Sequence, residues 1–147
     1  MSDATSGAAR RNLETLDEAE CLLLISPGGI GRLAYEGRYG LTVMPVNYRL
    51  HDGAIVFRTA QDSPTGEDLQ TGIARAEYQV AFEVDRVDEA AREGWSVLIQ
   101  GPAHHMTSDA ERASVLASGV EPWPAGPRDD AIRITPTRIT GRRVHRT

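Results

Sequence analysis

The chain has 147 residues, 40% of them apolar and 25% charged, with a net charge of −5 and a pI near 5.3. That length suits a single domain, expected over residues 13–147. The acidic balance argues against a nucleic-acid module, no apolar run approaches the ~20 residues of a membrane span, and one cysteine excludes an internal disulfide or a cysteine-built zinc cluster, so the expected home is the cytoplasm.

Residues 1–12 are small and polar and are expected to form a disordered tail. Thr15-Leu16-Asp17-Glu18 has the spacing of a capping box, with Thr15 as N-cap and Glu18 reaching back. It predicts a helix through Cys21 and Leu24 that stops at Pro27-Gly28-Gly29. Cys21 lies in the apolar run of that helix and is expected to be a small buried hydrophobe. Gly31 to Glu36 and Leu41 to Leu50 predict two strands around a turn at Gly37–Gly40. Asp52-Gly53 predicts a tight hairpin into a third strand, Ala54–Thr59.

Gln61–Gly66 has loop composition, and Glu67–Ala76 suits a short helix. Tyr78–Val84 alternates Val80, Phe82 and Val84 with Gln79, Ala81 and Glu83, the pattern of a half-buried strand. Gly94–Met106 predicts another, interrupted at Gly101-Pro102. Ser108 with Glu111 caps a helix to Ser118, Glu121–Asp130 is a proline-rich loop, and Ala131–Val144 is a final strand or strand pair. About six strands with hairpin spacing and three short helices predict a mainly β fold, a six-stranded antiparallel barrel with helices over its ends. Closure removes the edges that apolar strands cannot leave bare.

The chemistry concentrates on two of these strands. Met44-Pro45-Val46-Asn47-Tyr48 carries a proline where a strand would otherwise pair, freeing backbone groups for a ligand. Phe57-Arg58-Thr59 ends a strand in a guanidinium fork and a hydroxyl, donors suited to a phosphate. Asn47 suits either a ring edge or the backbone of a bulge, and Tyr48 is more often packing than chemistry. Trp95 begins a strand after a glycine, fitting a dimer interface first and a cofactor second. Ser96 has no histidine or acid in a triad-like motif and is not read as a nucleophile. His104 and His105 are adjacent in a strand, so they face opposite ways and do not suit one metal ion. Arg142, Arg143 and Arg146 form a basic terminus, either a solvated edge or a reach toward an anionic ligand.

Taken together, Gly31-Arg32-Leu33-Ala34, Pro45-Val46-Asn47-Tyr48, Asp52-Gly53, Phe57-Arg58-Thr59, Val80-Ala81-Phe82-Glu83-Val84-Asp85 and Gly94-Trp95-Ser96-Val97-Leu98-Ile99-Gln100-Gly101 occur in the order and spacing of a known family. Over roughly residues 15–144 the chain resembles the flavin-binding split-barrel proteins related to pyridoxamine 5′-phosphate oxidase, in particular their small actinobacterial-type branch. The resemblance implies a homodimeric six-stranded split barrel with FMN in a groove between subunits. It implies that Pro45, Val46, Asn47 and Tyr48 lie along the isoalloxazine edge and that Phe57, Arg58 and Thr59 meet the ribityl phosphate. Trp95 and Ser96 are then expected to reach the site at the interface. The implied activity is that of an oxidoreductase acting on a small organic substrate through the flavin.

One departure bears on the cofactor. Where the family shows a lysine before a leucine, this chain has Gly66-Glu67-Asp68-Leu69. A phosphate carries about −1.5 to −2 charges near neutral pH. At 4 Å and an effective dielectric of about 20, each unit-charge pair is worth roughly 4 kcal/mol before screening, so exchanging a cation for an acid there weakens FMN binding. The sequence therefore also suits a non-catalytic or cofactor-swapped barrel, holding a deazaflavin, a tetrapyrrole or another ligand. No dinucleotide fingerprint follows any predicted strand.

Overall fold

Period-two alternation decides most of this fold. The structure, a computed structural model, describes residues 12–59, 78–106 and 130–145, together with the helical positions Ala110, Ala113 and Ala117. Its elements are β1 (Leu13–Leu16), α1 (Glu18–Ile25), β2 (Gly29–Gly37), β3 (Gly40–His51), β4 (Ala54–Thr59), β5 (Tyr78–Asp88), β6 (Glu93–His105), β7 (Asp130–Ile134) and β8 (Arg138–Val144). All pairings are antiparallel, in the order β1-β8-β6-β5-β2-β3-β4-β7, and a further β6–β7 pairing closes a ring of six. The expected mainly β, six-stranded antiparallel barrel is present, with β8 and β1 added outside the ring.

The split has a local cause. The N-terminal half of β6 pairs with β8 and its C-terminal end, Ala103–His105, pairs with β7. The chain crosses between them at Thr135–Thr137, whose amides donate to Pro102 O at 3.0 Å and Gln100 O at 2.8 Å. That crossing presses on Gly101, where a Cβ would lie 2.0 Å from the Thr135 carbonyl oxygen. Pro102, which has no N–H to donate, sits where β6 changes partners. The interruption expected at Gly101-Pro102 is thus a change of neighbour within one continuous strand, and the expected final strand is the pair β7 and β8.

The inner faces of the strands fill the barrel with Leu33, Tyr48, Ile55, Phe57, Phe82, Val97, Ile99, Ile132 and Ile134. The β3–β4 hairpin turns at Asp52-Gly53 with φ of +50° and +74°, the two left-handed positions such a turn requires. Helix α1 packs over one end through Cys21 and Ile25, one turn apart on the same face. Cys21 Sγ lies where a Cβ on Gly141 would stand, so the expected buried role of this cysteine is observed.

The helix starts two residues later than the capping-box reading placed it. Thr15 belongs to β1, paired with Arg142, and the N-cap is Asp17, whose carboxylate accepts the Glu20 amide at 2.8 Å. Leu16 is drawn into the core, which holds the preceding residues extended. Asn12 O accepts the His145 amide at 2.8 Å, so Asn12, expected in the tail, is paired; the rest of the expected tail, residues 1–11, lies outside the described residues. The loop expected at 61–66, the helix at 67–76 and most of the segment 108–129 lie outside the described residues, as does the acidic pair Glu67-Asp68. Ala110, Ala113 and Ala117 are helical, as expected within 108–118.

Candidate functional site

Strand alternation divides the expected site residues into two sets. On β3, Val46 packs against the core and Tyr48 is buried, whereas Pro45 and Asn47 face outward. On β4, Phe57 is fully buried and Arg58 faces outward; Thr59 pairs with Asp130 through its backbone. On β6, Trp95 packs its ring on the core side and Ser96 faces outward. The side chains of Pro45, Asn47, Arg58 and Ser96 therefore share the outer face, while those of Val46, Tyr48, Phe57 and Trp95 do not.

Tyr48 has a structural role that its position explains. Its hydroxyl donates to Ile25 O at 2.8 Å, tying β3 to the last turn of α1, and its ring meets Phe82 edge-to-face at 5.2 Å. Burial pushes its phenol up to about 12, with Arg86 opposing the shift. Its side chain is thus committed to the interior, and its backbone pairs with Gly29 of β2 and Phe57 of β4.

Asn47 and Arg58 are brought together. The β3–β4 register pairs Tyr48 with Phe57, and these two outward residues are the next step along the same hairpin. Ser96 is distant from them: β2 and β5 intervene between β3 and β6, a separation of about 14 Å at the usual strand spacing. One copy of the chain does not bring Ser96 to Asn47 and Arg58.

Between them lies a charged group that the sequence reading did not single out. One row crosses five strands as Pro45, Arg32, Glu83, Leu98 and Thr140. Arg32 Nη1 donates to Glu83 Oε1 at 3.2 Å and to Asp85 Oδ2 at 3.1 Å. One cation thus serves two carboxylates on one face of β5. Burial and the neighbouring Asp85 raise the Glu83 carboxyl to about 7, outweighing the opposing pull of Arg32. The signal was present as two acids at i and i+2, but its partner is 51 residues away and emerges only from the β2–β5 register.

Exposed aliphatic side chains flank the charged row on both sides. Leu41 is 87% exposed and Val43 67%, on one side of the charged row; Val87, Val144 and Leu13 are exposed on the other. The last three form a row of their own, running Val87, Gly94, Val144 and Leu13 over β5, β6, β8 and β1. The two histidines once considered for a metal alternate along the end of β6, opposite Arg133 and Ile132 of β7.

A closed six-stranded antiparallel barrel whose last two strands share one edge of β6 defines the split-barrel class. Residues 17–143 match the family described as pyridoxamine 5'-phosphate oxidase, and the chain belongs to it. An uncharacterized protein of Mycobacterium tuberculosis is 29% identical over 143 residues, covering 97% of this chain and 93% of that protein. The FAD binding protein from Mycobacterium smegmatis is similar in structure, with a TM-score of 0.72 and 27% identity over 89% of this chain and 99% of that one. A FAD-binding protein from Mesorhizobium loti shares the fold at a TM-score of 0.69 and 22% identity, covering 89% of this chain and 96% of that one.

Proposed function

We propose that this protein is a flavin-dependent oxidoreductase that holds FMN on the outer face of the barrel and acts on a small organic molecule. The observation that carries this reading is the outward projection of Asn47 and Arg58 from neighbouring strands in a chain of this family. The Arg58 fork and Thr59 meet the phosphate, while Pro45, the Val46 and Tyr48 backbone and Asn47 meet the ring edge. When bound, the flavin supplies hydride transfer at its ring. Arg32, Glu83 and Asp85 present charge and an exchangeable proton to the same face.

The reading includes a homodimer in the cytoplasm. Exposed aliphatic side chains on one sheet face, Leu41, Val43, Val87, Val144 and Leu13 among them, favour a second copy as their cover, and that copy supplies Ser96 to the site that a single chain leaves incomplete. No helix among the described residues is long and apolar enough to cross a membrane.

A second reading has its own support. The Mycobacterium smegmatis structure is of an FAD binding protein, and Glu67-Asp68 replaces the cation that the resemblance leads one to expect beside an FMN phosphate. A swapped cofactor, a dinucleotide flavin before a deazaflavin or a tetrapyrrole, accommodates both facts.

The visible spectrum of the purified protein, repeated after incubation with FMN or FAD and desalting, tests these readings. Retained FMN near one per subunit supports the first, and selective retention of FAD the second. A protein that keeps neither overturns flavin binding. Asp68→Lys sharpens the result: FMN affinity rises by about tenfold or more if this acid faces the phosphate, and is unchanged if it does not.

A further inference from the structure

The inner faces of β5, β6 and β8 continue beyond the end of the barrel. There the register sets Arg86, Trp95 and Arg143 side by side in one row across three strands. Trp95 lies between the two arginines, with part of its indole against the core. The row, with Asp88 and Glu93 at the hairpin rim, lines an open cavity of about 360 Å³.

Both guanidinium groups lack a carboxylate partner among the described residues, although acids are close. Glu14 stands opposite Arg143 in the β1–β8 register, yet its carboxylate is engaged by His145 Nε2 at 2.6 Å. Asp88 uses its carboxylate to accept the Ala91 amide at 3.0 Å. Asp88, through its second oxygen, and Glu93 remain as acids at the rim. In a chain of net charge −5, two unpaired arginines flanking one tryptophan are an arrangement that internal ion pairing does not explain.

Their geometry suits one kind of ligand. The two arginines are separated by two strand spacings, about 10 Å, so both long side chains can turn inward over the ring between them. A guanidinium fork binds carboxylate or phosphate oxygens in pairs, and an indole face takes a flat ring by offset stacking. We propose that this cavity is a binding site for an aromatic or heteroaromatic molecule bearing a carboxylate or a phosphate. Its ring stacks on Trp95 and its anionic group is held by Arg86 and Arg143. Arg86, Trp95 and Arg143 stand on the inner face of their strands while Ser96 faces outward; the cavity opens at the strand ends, where Val87 and Gly94 also line it and Trp95 borders a second hollow that reaches Ser96 and Arg142. The site does not depend on the flavin reading.

The test is a titration in a Trp123→Phe background, which leaves Trp95 as the only tryptophan of the full chain. Benzoate and phenyl phosphate are the probes; benzyl alcohol is the control without charge and inorganic phosphate the control without a ring. Saturable change in Trp95 fluorescence with the aromatic anions is expected, with binding about tenfold weaker in Arg86→Met and in Arg143→Met. Both controls are expected to bind more weakly by a similar factor. Arg86→Lys, which keeps the charge and loses the fork, should fall between. Calorimetric titration of the unaltered chain gives the same comparison without the Trp123 change, and thermal melting shows whether the variants fold. Absence of saturable binding overturns the proposal, as does equal binding of benzyl alcohol or indifference to both arginine variants. FMN and FAD retention should be unchanged in the variants; a parallel loss of flavin would make this cavity part of the flavin site and overturn a separate one.

Discussion

The two faces of the same sheet obey the same alternation and end in opposite conditions. Inside, Phe82, Leu33 and Ile99 are fully buried against one another. Outside, Arg32 and Glu83, next in the chain to Leu33 and Phe82, form a compact charged group with Asp85, and Leu41 and Val43 of β3 stand in the open. The inner face is completed by the fold itself. The outer face leaves aliphatic side chains and a concentrated group of charges at the surface, the features on which the proposed binding of a flavin and a second copy rests.

The sharpest way to break the inner face is Phe82→Ala. The ring is fully buried, meets Tyr48 edge-to-face and fills the space over Gly31, where a Cβ would approach it to 2.3 Å. Its removal leaves a cavity in a closed barrel that cannot collapse without breaking strand pairs. A loss of about 3–5 kcal/mol is expected, read as a lowered denaturant midpoint with an unchanged slope. A smaller loss would show that the barrel wall repacks.

Tyr48→Phe removes one oxygen and keeps the packing. It deletes the hydroxyl that donates to Ile25 O and leaves that carbonyl without this donor at the junction of α1 and β3. About 1 kcal/mol of stability should be lost. Hydrogen exchange should rise in α1 more than in β3, since the bond anchors the helix to the barrel. Equal exchange in both would place the anchoring in Cys21 and Ile25 packing instead.

The inner face was largely legible in the sequence. Val80, Phe82 and Val84 announced their strand by period two, and Asp52-Gly53 announced its hairpin by turn chemistry. The outer face was less so, for two physical reasons. Alternation says which residues share a face but not which strands are neighbours, so the Arg32–Glu83–Asp85 group stayed hidden until β2 met β5. A contiguous motif such as Pro45-Val46-Asn47-Tyr48 also necessarily sends half of its side chains inward. The family resemblance named the segments; the pleat selects Pro45, Asn47, Arg58 and Ser96 as the side chains that face outward. The misplaced helix start has a similar origin, because Thr15 suited a cap locally and β8, which claims it for a strand, lies more than a hundred residues away.

Glu83 offers a gentler probe of the outer face. Its carboxyl is raised from its ordinary value of 4.5 to about 7, so between those values the folded chain holds a proton that the unfolded chain releases. The contribution of this group to stability is therefore fully present below about pH 4.5 and is lost as pH rises through about 7. Glu83→Gln should flatten that fall, giving a variant more stable than the parent at about pH 8 and little changed at about pH 5. Denaturant midpoints at the two pH values check it. A parallel offset at both would mean that Arg32 pairing, rather than protonation, governs the site.

Val43→Ser should have the smallest effect on folding. Val43 is 67% exposed on β3, and its partner Ala34 offers little surface to lose, so unfolding of a dilute monomer should change by less than about 0.5 kcal/mol. Its effect on self-association should be far larger, because the same side chain sits beside Leu41 in the apolar surface assigned to a second copy. Sedimentation of parent and variant over a range of concentrations separates these quantities. A shift toward monomer with an unchanged melting temperature at low concentration assigns Val43 to the interface. Unchanged association would remove Val43 from the contact and shift the expected contact toward the Leu13, Val87 and Val144 side of the face, next to Ser96.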